Sequence, residues 1–548
     1  MAAVDPLALS GRWGIPDHPV DLGSRAANFL RSQVGAAQPW PRVEPADWPV
    51  REAVLSDDEI RALQTCVGPE AVRTDRRSRI IATGGASYAD YAARHDGVQL
   101  DAPDAVVLPA THDEALAVLA ACRGLRLPVV PLGGGTSVVG GLAAVGRRIA
   151  VSTERMCHLL HLDDVSCLVT VGAGITGPRL EPLLAARGLT LGHFPQSWQR
   201  ASVGGYAATR SAGQASTGYG RSDDMVEALR VATPEGTLEL GRGPASAAGP
   251  DLLGLLVGSE GAYGLITEVT LRVRRLPGAV RYEGVMLPDF AAGLDAFRAM
   301  AQSRASADVM RLSDEAETAV TLALSGPSGP VAAALERYLS LRGVPPGTGC
   351  LAILGWEGVD RDQVKDRRAA SWRALRRHGA IGLGRRVGES WRSGRFHGPL
   401  LRDALMDLGY VVETVESAAH WSGVPRLHAA VAESLRSSLG PPPGPYVMAH
   451  VSHVYETGAS VYTTVLAVAD RSDPVAQWRA AKREVSEAIV GCGSTITHHH
   501  AVGRDHRPWI VDEVGPLGVD VLAAVKKRLD PDGILNPGVL LDDPPTSG

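Results

Sequence analysis

No stretch of this chain approaches 18 consecutive apolar residues, so nothing in it reads as a membrane-spanning helix. The opening residues, MAAVDPLALSGRWG, lack the basic and apolar regions of a secretion signal. Together these make a cytoplasmic location the expectation. Cysteine is scarce as well. Cys66, Cys122, Cys157, Cys167, Cys350 and Cys492 include no CxxC pair, which argues against a structural zinc or a redox dithiol and for scattered reduced thiols. Neither sign of charge is in excess: 55 Lys and Arg face 60 Asp and Glu, so nothing points to nucleic acid. Aromatic residues are few, and no function follows from that. There is no internal repeat and no low-complexity segment. Two familiar phosphate-binding signatures are also missing. There is no Gly-Lys-Ser/Thr, and no GxGxxG that opens directly into a helix.

What is present is a soluble globular composition over 548 residues, long enough for two or three domains. The most informative stretch is VVPLGGGTSVVGGL, Val129 to Leu142. An apolar run ending in three glycines, Thr136 and Ser137 reads as a strand feeding a loop with almost no side chains. Such a backbone can bring several N–H groups against an anion, with two hydroxyls as further donors. A phosphate or pyrophosphate is the natural ligand.

The rest of the chain organises around that loop. Residues 1–100 read as a wrapping segment, irregular at first, with a capped helix at Ser56–Leu63 (Ser56 at the cap, Glu59 at the capping-box position). From Asp104 the order is strand (Ala105–Leu108), helix from Thr111 to Leu125, and strand (Pro128–Leu132) into the loop. Short strands follow at Ile149–Ser152, His161–Leu162 and Cys167–Val171, then a helix from Gly177 to Arg187. This order reads as a mixed α/β domain. Pro195 to Gly236 opens with a long, glycine-rich loop, and long ordered loops are usually functional. Val226–Thr233 and Ile266–Val273 read as strands. Beyond about Pro277, helical runs (Pro288–Met300, Val331–Leu341, Asp360–Arg377, Pro425–Leu439, Val475–Ile489) alternate with short strands (Leu351–Leu354, Tyr446–His450, Ser460–Val468). Long helices on one face of an antiparallel sheet fit that order. Gly440–Pro445 (GPPPGP) reads as a rigid linker, and Val519–Leu529 as a last helix before DPDGILNPG.

Four motifs in sequence, PLGGGTSVVGGL, ASVGGYAATRSAG, GSEGAYGLITEVTLRV and DPDGILNPGVLL, resemble the FAD-binding fold of vanillyl-alcohol-oxidase-type flavoproteins. The resemblance implies an α+β chain with four parts. These are the wrapping segment (1–100), a PCMH-type two-subdomain FAD-binding domain (101–280), a cap domain with antiparallel sheet and flanking helices (281–500), and a C-terminal return (501–548). It implies FAD contacts at Pro131, Gly133, Gly134, Gly135, Thr136, Ser137, Pro195, Ser197, Ser202, Gly204, Gly205, Thr209, Arg210, Glu260, Gly261, Gly264 and Ile266. Many relatives hold FAD through a histidine near the glycine loop. None stands there in this chain, so non-covalent FAD is expected.

The C-terminal half is similar to alkyldihydroxyacetonephosphate synthases, through MRLSD (310–314), LLRDAL (400–405), HVYETGASVY (453–462) and THHHAVG (497–503). That family exchanges the acyl chain of acyl-dihydroxyacetone phosphate for a fatty alcohol, the ether-forming step of ether lipids, with FAD taking part without net redox change. By this resemblance Tyr462 is the catalytic tyrosine, and His498, His499 and His500 are the active-site histidine run. Arg311 is an essential arginine, and Arg402 stands near the substrate phosphate. Where the family commonly has Phe-Glu-Thr, this chain has Val415-Glu416-Ser417. Arginine suits a phosphate through bidentate geometry, and His or Tyr can take a proton alpha to a ketone.

Three adjacent histidines on a strand would alternate sides. At most two are then expected in the pocket, His498 and His500, or His499 with a bend. A His-rich tract also suggests a metal, but none is expected. The competing activity is an FAD-dependent D-2-hydroxy-acid dehydrogenase or oxidase. That branch keeps metal ligands where this chain has Tyr462 and His499. A third reading is a flavin-binding scaffold without activity, disfavoured by the polar cluster in the C-terminal half. A fatty alcohol is insoluble, so peripheral contact with the inner face of a membrane is expected, with a homodimer as the assembly.

Overall fold

The capped segments begin where the sequence caps them. Ser56 accepts the N–H of Glu59 while the Glu59 carboxylate accepts that of Ser56, closing a capping box over helix Asp57–Val67. Thr111 caps His112–Gly124 in the same way, without the reciprocal bond. The computed structural model describes residues 10–14, 22–326, 329–441 and 443–542. Parts of the irregular start and of the GPPPGP linker lie outside the described residues, as does the C-terminal segment beyond residue 542.

The glycine loop hangs from a small sheet of β1 (Val72–Arg73), β2 (Ala105–Val107), β3 (Val129–Leu132) and β4 (Ile149–Ser152), in the order β1-β2-β4-β3 with β2, β4 and β3 parallel. A second, antiparallel sheet packs behind it. Its strands are β5 (Leu159–Asp163), β6 (Leu168–Gly172), β8 (Val226–Thr233), β9 (Gly236–Leu240) and β10 (Leu265–Arg272), in the order β5-β6-β10-β8-β9. A separate pair joins β7 (Leu189–Thr190) to β11 (Arg274–Arg275). The stretch after Pro195, expected to be a loop, contains three short helices, Val203–Thr209, Ser216–Tyr219 and Ser222–Met225.

The cap is one antiparallel sheet of seven strands, where the sequence reading found three. The strands are β12 (Ala279–Leu287), β13 (Val309–Ser313), β14 (Cys350–Gly358), β15 (Ile381–Gly384), β16 (Tyr410–His420), β17 (Tyr446–Val454) and β18 (Gly458–Val468). Their order is β15-β12-β14-β13-β17-β18-β16. Met310, Leu312, Leu354, Val411, Val415, Val451 and Val465 face the helices Phe290–Gln302, Arg361–Arg377, Val424–Ser438 and Pro474–Gly491. The intervening residues Val309, Leu351 and Ile353 join the core of the second sheet. The alternation of strand side chains therefore makes the cap sheet a partition between a helical core and the glycine-loop half.

The C-terminal end returns to that half and secures it. Leu535 bridges to Val129 at the start of β3. Asn536 donates its side-chain amide to the carbonyl oxygens of Gly141 (3.1 Å) and Glu260 (2.7 Å). The DPDGILNPG motif thus stitches the end of the glycine loop to the GSEG turn.

Candidate active site

A cavity of about 640 Å³ runs between the glycine loop and the cap sheet. Its first wall is Pro131 and Gly133 to Ser137. Among the described residues, no backbone acceptor meets the N–H groups of Gly133, Gly134, Gly135, Thr136 or Ser137, so five consecutive donors remain for an anion. The loop is glycine because it is wedged. A Cβ on Gly133 would lie 2.4 Å from Ser202 Oγ, and one on Gly134 would lie 2.1 Å from the Arg200 carbonyl oxygen. Pro195, Ser197, Ser202, Gly204, Gly205, Thr209, Glu260, Gly261, Gly264 and Ile266 line the same cavity. Gln196 and Gln214 add buried amide oxygens without a partner.

Arg210 must be corrected. Its guanidinium does not line the cavity but donates to the carbonyl oxygens of Val257 and Gly254 and pairs with Asp223 at 3.2 Å. The backbone carbonyls of the following turn claim it. Glu260 lines the cavity, but its carboxylate accepts from Val502 N and Gly503 N, and burial pushes it up to about 7.

The polar wall is built on β16, β17 and β18, whose register sets Glu416 and His450 on either side of Tyr462. The Tyr462 ring stacks on His450, with centroids 4.9 Å apart, and lies parallel to His499 at 6.1 Å and edge-on to His500 at 5.6 Å. Burial pushes its phenol up to about 12.

The histidines themselves stand on no strand, which corrects the expected alternation. Residues 498–500 form a bend after the isolated bridge at Thr495. The bend wraps the carboxylate of Glu416, whose side chain is fully buried. Glu416 Oε1 accepts from Thr497 Oγ1 (2.6 Å) and from the N–H groups of His498 (3.0 Å), His499 (2.8 Å) and His500 (2.7 Å). The result is that His499 and His500 line the cavity and His498 does not. His498 sits behind them, bonded through Nε2 to Tyr455 Oη at 2.6 Å. Burial pushes His498 and His500 down to about 3 and His453 well below its ordinary value, so these three are neutral at pH 7. His453, His498 and His499 bring one nitrogen each within 4.8 Å of one another, the described residues' candidate for holding a metal ion.

Two arginines complete the wall. Arg311 donates to Glu317 Oε1 (2.8 Å) and to His450 Nε2 (2.9 Å). Because a guanidinium only donates, His450 carries its proton on Nδ1, where it meets Glu317 at 3.0 Å. Burial would raise the Glu317 carboxyl, but Arg311 and His450 hold it well below the usual range. Arg402 lies over the Tyr91 ring, donates once to the Ala86 carbonyl, and keeps a buried Nε without an acceptor.

Residues 103–241 match a family model described as an FAD binding domain, and residues 276–540 one described as the C-terminal domain of FAD linked oxidases. Alkyldihydroxyacetonephosphate synthase of Dictyostelium discoideum is 30% identical over 491 residues, covering 88% of this chain and 80% of its own. The chain belongs to the alkyldihydroxyacetonephosphate synthase family. The Trypanosoma brucei brucei member is 30% identical over 90% of this chain and 82% of its own. A solved alkyldihydroxyacetonephosphate synthase superimposes with a TM-score of 0.78 at 27% identity, covering 93% of this chain and 92% of that one. A p-cresol methylhydroxylase, at 16% identity and a TM-score of 0.67, shares the fold. FAD is the cofactor of this flavoenzyme, and the free donors of the glycine loop fit its pyrophosphate. Within the family site, Glu416 is the residue that sequence reading left without a role. Its signal was a pair of carboxylates, Glu413 and Glu416, in a strand whose residues over 411–419 are otherwise apolar or hydroxylated.

Proposed function

We propose that this enzyme exchanges the acyl chain of acyl-dihydroxyacetone phosphate for a fatty alcohol, with no net redox change. The observation that carries this reading is the shape of the cavity beyond Tyr462. Two and four residues along the strands the lining becomes Thr464 and Met448, then Leu466 and Val412. The apolar end is lined by Leu22, by Phe29 and Leu30 of helix Gly23–Gln33, and by Leu324, Leu401 and Leu405. At about 3.3 Å per residue this end lies roughly 13 Å from the tyrosine. A polar pocket continuing into an apolar tunnel suits a phosphorylated head with a long chain.

Bound FAD supplies a ring that can engage the three-carbon unit and be regenerated without net oxidation. The chain's own groups do the rest. Arg402 offers free donors to the phosphate. Arg311, held by Glu317, keeps a fixed cation beside Tyr462. Tyr462, His499 and the neutral His500 stand where a proton can be taken from carbon and returned. The acyl group leaves as carboxylate, and the alcohol enters through its oxygen after giving up its proton.

The oxidation of a D-2-hydroxy acid is the second reading. Tyr462 and His499 occupy the positions where that branch keeps metal ligands, and a small acid would leave the apolar end empty. The deciding experiment is incubation of the purified holoenzyme with acyl-dihydroxyacetone phosphate and a labelled fatty alcohol. Alkyl product is expected. Absence of product together with reduction of the flavin by D-lactate or D-2-hydroxyglutarate would replace the first reading by the second.

Membrane contact belongs to the same proposal. Leu324 reaches from the apolar end to the surface, and Leu322, Val331, Tyr338 and Leu341 stand exposed on the same helix or the next one. They support a peripheral attachment at the tunnel mouth. Liposome flotation is expected to recover the enzyme with the lipid, and failure at every lipid composition would remove this part. A homodimer is supported by exposed apolar side chains on both sides of the kink at Gly515, Val511 and Val514 before it and Leu517 and Val521 after it, which sedimentation would test.

A further inference from the structure

Glu416 does more than shape the histidine bend. Its Oε1 is taken up by the Thr497 hydroxyl and three backbone N–H groups, while Oε2 accepts the His498 N–H at 2.9 Å and faces His499 Nδ1 at 3.2 Å. The Thr497 hydroxyl and three backbone N–H groups converge on one buried carboxyl, and so many donors favour its ionised form. An ionised carboxylate only accepts, so the His499 nitrogen held beside it, Nδ1, is the one that carries a proton. The neighbouring contact agrees. His498 Nδ1 lies 3.0 Å from the same His499 Nδ1, and only one of them can hold the proton between them. With the proton on His499, His498 Nδ1 accepts, and His498 donates through Nε2 to Tyr455 Oη at 2.6 Å. A neutral imidazole with Nδ1 protonated has its lone pair on Nε2. His499 lines the cavity, and its Nε2 has no hydrogen-bond partner among the described residues.

We propose that Glu416 is a positioning residue that locks His499 in the Nδ1–H tautomer and presents Nε2 to the cavity as a proton acceptor. The turnover consequence rests on the transferase reading above; the tautomer itself does not. The logic is that of a buried carboxylate orienting a catalytic imidazole, where replacing carboxylate by amide keeps the shape and reverses the tautomer. In Glu416→Gln the amide oxygen can still accept the three backbone N–H groups. The amide nitrogen, standing in place of Oε2, would face His499 Nδ1 as a donor and force the proton to Nε2, while the His498 N–H keeps its bond to the amide oxygen.

The experiment is ¹⁵N NMR of the holoenzyme with ring-labelled histidine, the His499 signals being assigned by their loss in His499→Gln. Wild type is expected to show His499 protonated at Nδ1 and bare at Nε2. Glu416→Gln is expected to show the reverse, with FAD content and melting temperature retained. Its kcat for alkyl product should be lower by about 10²–10⁴-fold, with KM within a few-fold of wild type. A wild-type His499 protonated at Nε2 overturns the proposal, as does an unchanged tautomer in a folded Glu416→Gln. Undiminished turnover with the tautomer reversed overturns the catalytic part. Should Glu416→Gln fail to fold, the wild-type spectrum alone decides. Addition of Co²⁺ alone tests the competing use of these nitrogens. Stoichiometric binding that shifts His453, His498 and His499 together would make them ligands and overturn the hydrogen-bonded arrangement. If wild type makes no alkyl product but shows the expected tautomer, the transferase reading fails and the role of Glu416 stands.

Discussion

Replacing Gly134 by alanine adds one methyl group at a place where only main chain could yield. The new Cβ would lie 2.1 Å from the Arg200 carbonyl oxygen and 2.7 Å from both Arg200 C and Ala201 Cα. Real Cβ atoms do not approach closer than about 3.0 Å, so the glycine loop and the 200–201 turn must separate by roughly 0.9 Å at least. The turn cannot swing freely. Arg200 N and Ala201 N both donate to the Ser197 carbonyl, and the next residue, Ser202, caps helix Val203–Thr209. The separation therefore falls on two walls of the cofactor cavity at once. Overpacking of this kind costs about 1–3 kcal/mol. If it is relieved by moving the loop off its ligand, FAD affinity drops by roughly 5- to 150-fold. The assay is titration of the deflavinated protein with FAD, alongside the flavin-to-protein absorbance ratio as purified. Gly124→Ala is the control, because a Cβ there meets nothing within 4 Å. Its FAD affinity should match wild type, with stability unchanged or higher by up to about 1 kcal/mol. An FAD dissociation constant within twofold of wild type for Gly134→Ala would refute the wedge argument.

Tyr462→Phe removes one oxygen and keeps the ring stacked on His450. Turnover should fall by about 10²–10⁴-fold with FAD content and melting temperature nearly unchanged, whereas a purely structural hydroxyl would cost about 1 kcal/mol of stability and no activity. Acid should destabilise the fold early. Burial holds His95, His193, His498 and His500 near 3 in the folded state. A depressed pKa contributes stability above the unfolded value of about 6.5 that is lost as pH falls toward 3, at about 1.4 kcal/mol per pH unit for each group. The melting temperature should therefore drop steeply between pH 6.5 and 5, and a flat profile over that range would contradict the burial of these imidazoles. FAD should be released completely by acid precipitation, since no histidine stands in the Gly133–Ser137 loop; yellow colour retained in the washed pellet would show a covalent link.

The local sequence determined the parts whose signals are local. Capping residues marked the helix starts, three glycines after an apolar run marked the loop, and the FAD motifs stood close to the residues that line the cavity. Apolar periodicity found the helices behind the cap sheet because those have one buried face each. It found only three of seven cap strands, since a sheet buried on both sides loses the polar half of its alternation. Tyr410–His420 was hidden for a further reason: Glu413 and Glu416 interrupt its apolar run, the first lining the cavity and the second holding the histidine bend. What tertiary structure alone decided is where charge and protons go. Arg210 looked like a cofactor ligand until the fold gave its donors to Val257 and Gly254. The histidine run looked like an alternating strand until Glu416, 82 residues before His498, gathered its backbone N–H groups into a bend. Periodicity is a property of neighbours along the chain and can be read from it. A buried carboxylate choosing its partners is a property of neighbours in space, and no spacing in the sequence encodes it.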